Sequence, residues 1–268
     1  MKYGFLGAGN MGSAIIRGMI KGGFDPKEIF VYDLLQDKLD LLAEECNIKK
    51  LKNEEEVFEC DVVIIAIKPI ILDENKVRIK EIVTKASKKP KFFISIVVGK
   101  SLDYLSGIFE KSPIARVMTN VNAMTGSATT GYCMNEYATK DQDKIVTDIF
   151  SNLGIITPIE ETSFAAFSAI AGSSPAFCYM FIDALARAAV RGGIPRPLAT
   201  KIAAHTVYGS AKMVLGSEKH PLELCDMVCS PAGTTIQGVC SLQKDGFEAS
   251  IHNAVKKVMQ RDCEIGGN

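Results

Sequence analysis

The chain has 268 residues, 47% of them hydrophobic and 23% charged, which suits a globular protein of one large or two modest domains. Lysine plus arginine and aspartate plus glutamate number 31 each, so no net positive charge favours nucleic acid or an anionic membrane as partner. No apolar run approaches the roughly 20 residues that a membrane-spanning helix needs, and the N-terminus has the pattern of a strand and not of a signal peptide, so we expect a cytoplasmic protein.

The N-terminal stretch predicts a strand, a glycine loop and a helix. Residues 2–6 form a short apolar run, residues 7–12 match G-x-G-x-x-G, and apolar residues then recur at helical spacing. In this context the motif indicates a dinucleotide site, where Gly7 permits a tight turn, Gly9 lets a pyrophosphate approach and Gly12 lets the helix pack closely. The alternative is a purely structural glycine turn. The cofactor-binding residues predicted from this stretch are Leu6, Gly7, Ala8, Gly9, Asn10, Met11 and Gly12.

A second strand is predicted at residues 29–32, and it ends at Asp33. An acid about 20 residues beyond the glycine loop is the group that holds the adenosine ribose hydroxyls in such folds. Its carboxylate repels a 2′-phosphate, and no arginine follows in residues 34–36, so Asp33 favours NADH over NADPH as cofactor. The alternative is that Asp33 only caps a helix that starts near Asp37.

An almost uninterrupted apolar run at residues 61–67 predicts a central parallel strand that is buried on both faces. It stops at Lys68-Pro69, which places both residues at the carboxyl end of the strand, where ligands bind in open α/β sheets. Further strands are predicted at 92–99, 113–118, 129–133 and 154–159, with helices near 73–86, 101–110 and 141–152. This alternation over residues 1–160 predicts an α/β Rossmann-type domain with a doubly wound sheet.

Residues 161–268 have the composition of an all-α domain, since no convincing strand follows Glu160. Residues 164–190 are rich in alanine and apolar on all sides, and Ser174-Pro175 has the form of an N-cap and first-turn proline, which predicts a new helix there. Further helices are predicted at 198–215, 221–228, 234–243 and 247–264. A helix without a polar face must be buried, so we expect two copies of the chain to cover these helices in a homodimer. Three charged side chains within the helical stretch argue against burial in a membrane: Asp183, Arg187 and Arg191.

The eight cysteines are scattered without a C-x-x-C pair, which in a chain of this length indicates reduced and mostly buried thiols. Cys225 and Cys229 are conceivable metal ligands, but the histidines at 205, 220 and 252 provide no partners at ligand spacing. We therefore expect no metal site, and structural roles for the three histidines.

Two stretches resemble signatures of the pyrroline-5-carboxylate reductase family, Gly-Ser-Ser-Pro-Ala at 172–176 and Cys-Ser-Pro-Ala-Gly-Thr-Thr-Ile at 229–236. The similarity runs essentially end to end, and the late Ser-Pro-x-Gly-x-Thr segment is highly specific. The family usually has glycine at the positions of Ser174 and Ala232, and a side chain costs roughly 1 kcal/mol or more wherever φ must be positive. Other matching segments are Gly7-Ala8-Gly9, Asn53, Ala66-Ile67-Lys68-Pro69, Arg116 to Asn120, Asp183-Ala184-Leu185, Gly193-Ile194-Pro195-Arg196 and His220-Pro221.

The resemblance implies reduction of 1-pyrroline-5-carboxylate to L-proline with NADH or NADPH, the last step of proline biosynthesis. It also implies that the helical domain interlocks with a second subunit, commonly in decamers built from dimers. The cofactor-binding residues that it adds are Asn53, Ala66, Ile67, Lys68, Pro69, Val97 and Asn120. The substrate-binding residues that it implies are Glu161, Ser173, Ala232, Gly233, Thr234 and Thr235, with Ser173 and Thr235 as the candidate catalytic residues.

Reduction of a cyclic imine needs a hydride donor, a way to hold the ring and a proton on nitrogen. A protonated iminium is already electrophilic, so neither a metal nor an activated histidine is required, and positioning against the nicotinamide provides most of the catalysis. Residues 232–235 precede a predicted helix and would offer its N–H groups to the substrate carboxylate. The alternatives are that Thr234 and Thr235 only cap this helix and that Ser173 only begins one.

Two other functions fit parts of the pattern. A Rossmann dehydrogenase of the β-hydroxyacid type would use a lysine of the helical domain for proton transfer, with Lys201 and Lys212 as candidates. The second alternative function is that of a sensor that binds NAD(H) without catalysis. A sensor, however, has no need of a carboxylate-binding loop. Lys68 is a general acid in one interpretation, but lysine after a buried strand more often orients a phosphate or the backbone.

Overall fold

The computed structural model describes residues 1–86 and 91–266 of the chain, and within them eight strands form one sheet. The strands are β1 (Tyr3–Leu6), β2 (Ile29–Tyr32), β3 (Lys49–Lys50), β4 (Val62–Ile65), β5 (Phe92–Ser95), β6 (Ile114–Met118), β7 (Ala128–Met134) and β8 (Gly154–Pro158). Their order is β3-β2-β1-β4-β5-β6-β7-β8, and every neighbouring pair is parallel except β6 with β7. Strands 1 to 6 follow the Rossmann order, and the chain reverses direction across the sheet between β1 and β4. The predicted doubly wound sheet is confirmed.

Helices follow the predicted periodicity closely. In the sheet region they are α1 (Asn10–Lys21), α2 (Gln36–Cys46), α3 (Pro69–Ala86), α4 (Leu102–Phe109) and α5 (Lys140–Phe150). After the sheet come α6 (Phe164–Phe167), α7 (Ser174–Arg191), α8 (Arg196–Leu215), α9 (Pro221–Met227), α10 (Thr234–Lys244) and α11 (Phe247–Gly266). No strand follows β8 in the described part of the chain, as the composition of this region predicts.

Two separate hydrophobic clusters cover the two faces of the sheet. Phe5 and Ile64 belong to the cluster that includes side chains of α1, α2 and α5, whereas Leu6 and Ile65 belong to the cluster that includes α3 and α4. Successive residues of a strand point to opposite faces, so both faces of β1 and β4 are buried. This double burial explains why residues 61–67 lack the alternating pattern of a half-exposed strand.

The described residues divide into two compact units. Unit 1 comprises Met1–Ser173 together with Val258–Asn268, and unit 2 comprises Ser174–Lys257. This division differs from the boundary predicted after residue 160, because the start of the helical region and the C-terminal end of the chain group with the sheet. The substrate-binding and dimerisation roles assigned to residues 161–268 stay predictions.

Unit 2 has a small core and a largely apolar surface. Ala186, Ala199 and Ala203 form its buried cluster, and Asp183 on α7 accepts hydrogen bonds from Arg187 and Arg196. Many large apolar side chains are exposed in the single chain, among them Tyr179, Met180, Leu198, Tyr208, Met213, Leu215, Leu222, Met227 and Val228. Helices that expose so many large apolar side chains need a further protein surface to cover them.

The predicted helix start at Ser174 is confirmed as the first residue of α7, but no break precedes it. The chain is helical from residue 161 to residue 191, and a π-helical segment at Ser168–Ser173 leads directly into α7. Pro175 lacks the N–H that would bind the carbonyl four residues earlier, that of Ala171, and Asn120 Nδ2 donates to this carbonyl at 2.9 Å. The helix continues because a side chain from outside it replaces the hydrogen bond that proline removes.

That continuous helix is also long and apolar enough, by length and composition, to cross a membrane. Its most apolar stretch has a mean hydropathy of 1.4, and 17% of that stretch is buried within the chain. The same properties suit a helix that a second protein surface covers, so they do not by themselves identify a membrane span.

The eight cysteines are all free, but the prediction that most are buried is wrong. Cys46 and Cys60 are buried in unit 1, whereas Cys178, Cys240 and Cys263 are exposed. The exposed thiols lie on helices, and two of them, Cys178 and Cys240, lie in the unit whose apolar surface is uncovered in the single chain.

The two positions where the family usually has glycine differ in conformation. Ala232 has a φ of 57°, in the left-handed region, whereas Ser174 lies within a helix. Left-handed backbone costs a residue with a Cβ about 1–2 kcal/mol, while glycine inside a helix costs roughly 0.5–1 kcal/mol relative to alanine.

We therefore expect Ala232→Gly to stabilise the protein and Ser174→Gly to destabilise it, each by about 1 kcal/mol. The measurement is urea unfolding of the two variants and the parent at one protein concentration. Destabilisation by Ala232→Gly would show that the left-handed conformation at residue 232 carries no strain.

Candidate functional site

The glycine loop between β1 and α1 has three glycines with different roles. Gly7 has a φ of 104°, and a Cβ there would lie 2.6 Å from the carbonyl oxygen of Ala66. A Cβ on Gly12 would lie 2.6 Å from the carbonyl oxygen of Gly7. At Gly9 a Cβ would meet nothing within 4 Å, and this residue is exposed. The chain's own packing thus requires glycine at positions 7 and 12, whereas the space beside Gly9 is open for a ligand.

Helix α1 begins at this loop with its first N–H groups available. Gly9 is the N-cap, no side chain caps the helix, and the first turn has no acidic residue. Unpaired N–H groups and the positive end of the helix dipole make such a terminus a site for phosphate groups. The pyrophosphate position at residues 9–12 stays a prediction.

A pocket of about 350 Å³ opens beside the glycine loop at the carboxyl ends of β1, β2 and β4. Seven predicted cofactor residues line it: Leu6, Gly7, Gly9, Asp33, Ala66, Ile67 and Lys68. Parallel strands end at the same edge of a sheet, which is why loops distant in sequence meet here. The pocket lies beside the reversal point between β1 and β4, where ligands bind in open α/β sheets.

Asp33 connects the glycine loop to the end of β2. One carboxylate oxygen accepts a hydrogen bond of 2.6 Å from the N–H of Ala8, and the other accepts one of 2.8 Å from the N–H of Leu35. The N-cap of α2 is Leu35 and no side chain caps that helix, so the alternative that Asp33 caps it is wrong. An ionised carboxylate accepts about four hydrogen bonds, which leaves acceptor capacity for ribose hydroxyls.

Several predicted cofactor residues lie outside the pocket wall. Asn53 accepts a hydrogen bond of 3.2 Å from the N–H of Glu56 through Oδ1, and the two ends of the Asn120 amide bind Ala171 and Asn122. Asn10, Met11 and Gly12 form the start of α1, Pro69 starts α3, and Val97 is buried beyond β5. Their contact with a cofactor stays a prediction.

Sequence reasoning missed one wall of the pocket. Ile71, Asn75, Arg78 and Ile79 line it from α3, at the i, i+4, i+7 and i+8 spacing of one helix face. That spacing was available in the sequence once Lys68-Pro69 was placed at a ligand edge. The other missed lining residues are Tyr32, Leu34, Leu35 and Glu54.

Glu161, a predicted substrate residue, is already paired within unit 1. Its Oε1 atom accepts a hydrogen bond of 2.8 Å from Arg116 and one of 2.6 Å from the N–H of Leu102. The Arg116 guanidinium also lies 4.2 Å from the ring centre of Phe164. These contacts make Glu161 a tie between β6, α4 and the start of the helical region. Ser173, half-buried, is the last residue of the π-helical segment.

The predicted substrate loop lies in unit 2, at the start of α10. Gly233 is the N-cap, and a Cβ there would lie 2.3 Å from Ser230 Oγ. Thr234 and Thr235 are the first two helical residues and are both exposed, so the alternative that they cap the helix is wrong. No side chain caps α10, which leaves its first N–H groups for an anion such as a carboxylate. The meeting of this loop with Ser173 stays a prediction, since the residues belong to different units.

Comparison with known proteins covers both halves of the chain. Residues 161–265 match the family described as pyrroline-5-carboxylate reductase dimerisation, and residues 2–99 match the family described as NADP oxidoreductase coenzyme F420-dependent. Among curated proteins, the pyrroline-5-carboxylate reductase of Escherichia coli is 38% identical over 98% of both chains. The same enzyme of Methanosarcina acetivorans is 38% identical over 99% of this chain and 98% of its own.

Solved structures give the same result. The Plasmodium falciparum pyrroline carboxylate reductase, crystallised with NADP bound, has a TM-score of 0.89 and 30% identity over 99% of this chain and 98% of its own. A ketol-acid reductoisomerase at 13% identity, with a TM-score of 0.63, shares the fold alone. The full-length identity to curated reductases, together with the pocket at the glycine loop, shows that the chain belongs to the pyrroline-5-carboxylate reductase family.

Proposed function

We propose that this protein is a pyrroline-5-carboxylate reductase, which uses NADH or NADPH to reduce 1-pyrroline-5-carboxylate to L-proline, the last step of proline biosynthesis. The observation that carries the proposal is the open pocket at the glycine loop, in a chain similar to curated reductases over 98% of its length. We place the reaction in the cytoplasm. The direct test is loss of NADH absorbance on addition of 1-pyrroline-5-carboxylate, with L-proline identified as product.

Few protein groups are needed for this reaction. A bound nicotinamide cofactor would supply the hydride for the imine carbon, and the C=N electron pair would pass to a nitrogen that carries a proton. The N–H groups at the start of α1, which no side chain caps, would hold the pyrophosphate, and Asp33 would accept hydrogen bonds from the adenosine ribose. Lys68, exposed at the pocket edge, adds positive charge beside the phosphates.

The substrate is held at the other helix start. The uncapped N–H groups of α10 bind its carboxylate, and the Thr235 hydroxyl oxygen accepts a hydrogen bond from the protonated ring nitrogen. We also assign Ser173 and Glu161 to substrate binding, as the family resemblance implies, with Glu161 acting through its bond to Arg116. The rival β-hydroxyacid mechanism assigns proton transfer to Lys201 or Lys212, and both are exposed on the long helix α8. Replacing both lysines without loss of imine turnover would exclude that mechanism.

We also propose that the chain works as a dimer and as a decamer built from such dimers. The support is the exposed apolar surface of unit 2 and the match of residues 161–265 to a dimerisation family. Burial of such a surface between subunits stabilises the assembly by about 25 cal/mol for each Å² of apolar area removed from water. Sedimentation at micromolar concentration is expected to show dimers or larger species, and a folded, active monomer would contradict the proposal.

The pyrophosphate position can be tested at Gly9 without damage to the fold. Asp and Asn are about equally good N-caps, and a side chain fits at residue 9, so Gly9→Asp and Gly9→Asn should both fold. We expect Gly9→Asp to weaken NADH binding at least about 100-fold, because its charge repels the pyrophosphate, and Gly9→Asn to weaken it much less. Calorimetric titration measures both. Equal affinity in Gly9→Asp and the parent would place the pyrophosphate elsewhere.

We propose NADH as the preferred cofactor, on the evidence of the Asp33 carboxylate in the pocket wall. Leu34 lines the same wall and is 74% exposed, so Leu34→Arg adds a phosphate partner without removing Asp33. Its kcat/KM for NADPH should rise about tenfold relative to that for NADH. Leu41→Arg, equally exposed on α2 but outside the pocket, is the control. A parent enzyme with higher kcat/KM for NADPH than for NADH would refute the preference.

The role of Thr235 is tested by Thr235→Val, which removes the hydroxyl and nearly preserves the shape. Loss of one hydrogen bond should lower kcat/KM for the imine by an amount equivalent to about 0.5–1.5 kcal/mol, or more if the bond strengthens in the transition state. NADH affinity should stay nearly unchanged, since its predicted contacts lie in unit 1. Imine turnover equal to that of the parent would remove Thr235 from the mechanism.

A further inference from the structure

The pocket contains a second acidic residue that the family resemblance does not account for. Glu54 precedes the short helical turn at Glu55–Glu59 and lines the pocket together with Asp33. Its side chain is only 12% exposed. A carboxylate that is so little exposed to solvent needs a compensating charge or hydrogen bonds.

Arg78, on α3, provides that charge. Its Nη2 atom lies 2.5 Å from Glu54 Oε1, which makes an ion pair, and Arg78 also lines the pocket from α3. The two groups are not aligned for a hydrogen bond, so Oε1 is buried without a hydrogen-bond partner among the residues that the structure describes. Arg78 itself is 58% exposed and is therefore free to change rotamer.

Arginine is the side chain best suited to bind a phosphate, because its planar guanidinium forms two parallel hydrogen bonds to phosphate oxygens. In this pocket, however, its charge is neutralised by Glu54. The lining carries two carboxylates, Asp33 and Glu54, and two cations, Lys68 and Arg78. With Arg78 paired to Glu54 and Lys68 assigned to the phosphates at the glycine loop, no unpaired arginine among the described lining residues offsets the Asp33 carboxylate. A 2′-phosphate on the adenosine ribose would meet repulsion there, whereas a 2′-hydroxyl would meet acceptors.

We infer that Glu54, by pairing with Arg78, is a specificity-determining residue that makes the adenosine pocket reject a 2′-phosphate. Removing the carboxylate releases Arg78 to bind that phosphate. The inference rests on the proposed function in one respect, that the pocket takes the adenosine half of a nicotinamide dinucleotide.

The test compares two probes that differ only in the 2′-phosphate, adenosine 5′-monophosphate and adenosine 2′,5′-bisphosphate, by calorimetric titration of the full chain. In Glu54→Gln, affinity for the bisphosphate should rise about tenfold while affinity for the monophosphate changes less than about twofold. The double variant Glu54→Gln with Arg78→Met should lose the gain. Arg78→Met alone should bind the bisphosphate more weakly than the parent does.

The control is Glu45→Gln, which removes a carboxylate from the exposed Arg17–Glu45 ion pair outside the pocket. A similar gain in Glu45→Gln, or a gain that persists without Arg78, would overturn the inference. So would an unchanged ratio of the two affinities in Glu54→Gln.

The result separates this inference from the proposed function. If the parent reduces 1-pyrroline-5-carboxylate with NADH but Glu54→Gln leaves the two affinities unchanged, the reductase assignment stands and the role of Glu54 is rejected. If the parent binds neither adenosine probe and no dinucleotide, both are rejected. If Glu54→Gln gains bisphosphate affinity and also gains kcat/KM for NADPH relative to NADH, the inference is supported in binding and in turnover.

Discussion

The hydrogen bond between the N–H of Ala8 and the carboxylate of Asp33 holds the candidate site together. It joins the glycine loop to the end of β2, while Gly7 donates to Tyr32 at 2.8 Å and Ala66 donates to Leu6 at 2.8 Å across the neighbouring strand ends. Three loops are thereby fixed at one edge of the sheet. The same carboxylate lines the pocket, so the group that organises the loops would also set the charge that a ribose bound there meets. On the proposed assignment, a substitution at Asp33 would change structure and selectivity together, and a change of selectivity alone would have to come from neighbouring positions.

Both candidate ligand sites lie at the start of a helix that has no side-chain cap. Helices α1 and α10 each have glycine at the N-cap, so their first N–H groups are not used by the chain's own side chains. An anion that binds there supplies the missing acceptors, and its negative charge is favoured by the helix dipole. Glycine at such a position lowers the stability of the empty protein slightly in exchange for ligand affinity.

The features that could be predicted from the sequence are those that depend on a local residue pattern, such as buried strands and the glycine loop. Buried parallel strands have continuous apolar runs, and the run at 61–67 was placed within two residues of β4. The glycine loop could be predicted from its motif because only glycine fits at positions 7 and 12, where a Cβ would lie too close to backbone oxygens. The pairs Glu54–Arg78 and Arg116–Glu161 could not be predicted, because each joins residues at least 24 positions apart whose approach is set by the sheet topology. The continuity of α7 with the helical segment before it could not be predicted for a similar reason, since the side chain that binds the Ala171 carbonyl comes from the loop after β6.

The hydrogen bond between Asn120 and the Ala171 carbonyl couples positions 120 and 175, so that the effect of a mutation at one depends on the residue at the other. A proline at residue 175 is harmless because an amide at residue 120 serves the carbonyl that proline leaves behind. Replacing Asn120 alone removes the donor that stands in for residue 175, whereas replacing Pro175 alone gives the carbonyl a second donor, which its two lone pairs can accept. Replacing both restores an ordinary helical hydrogen bond. The chain thus carries a compensated pair of residues, and the effect of a mutation at either one depends on which residue occupies the other.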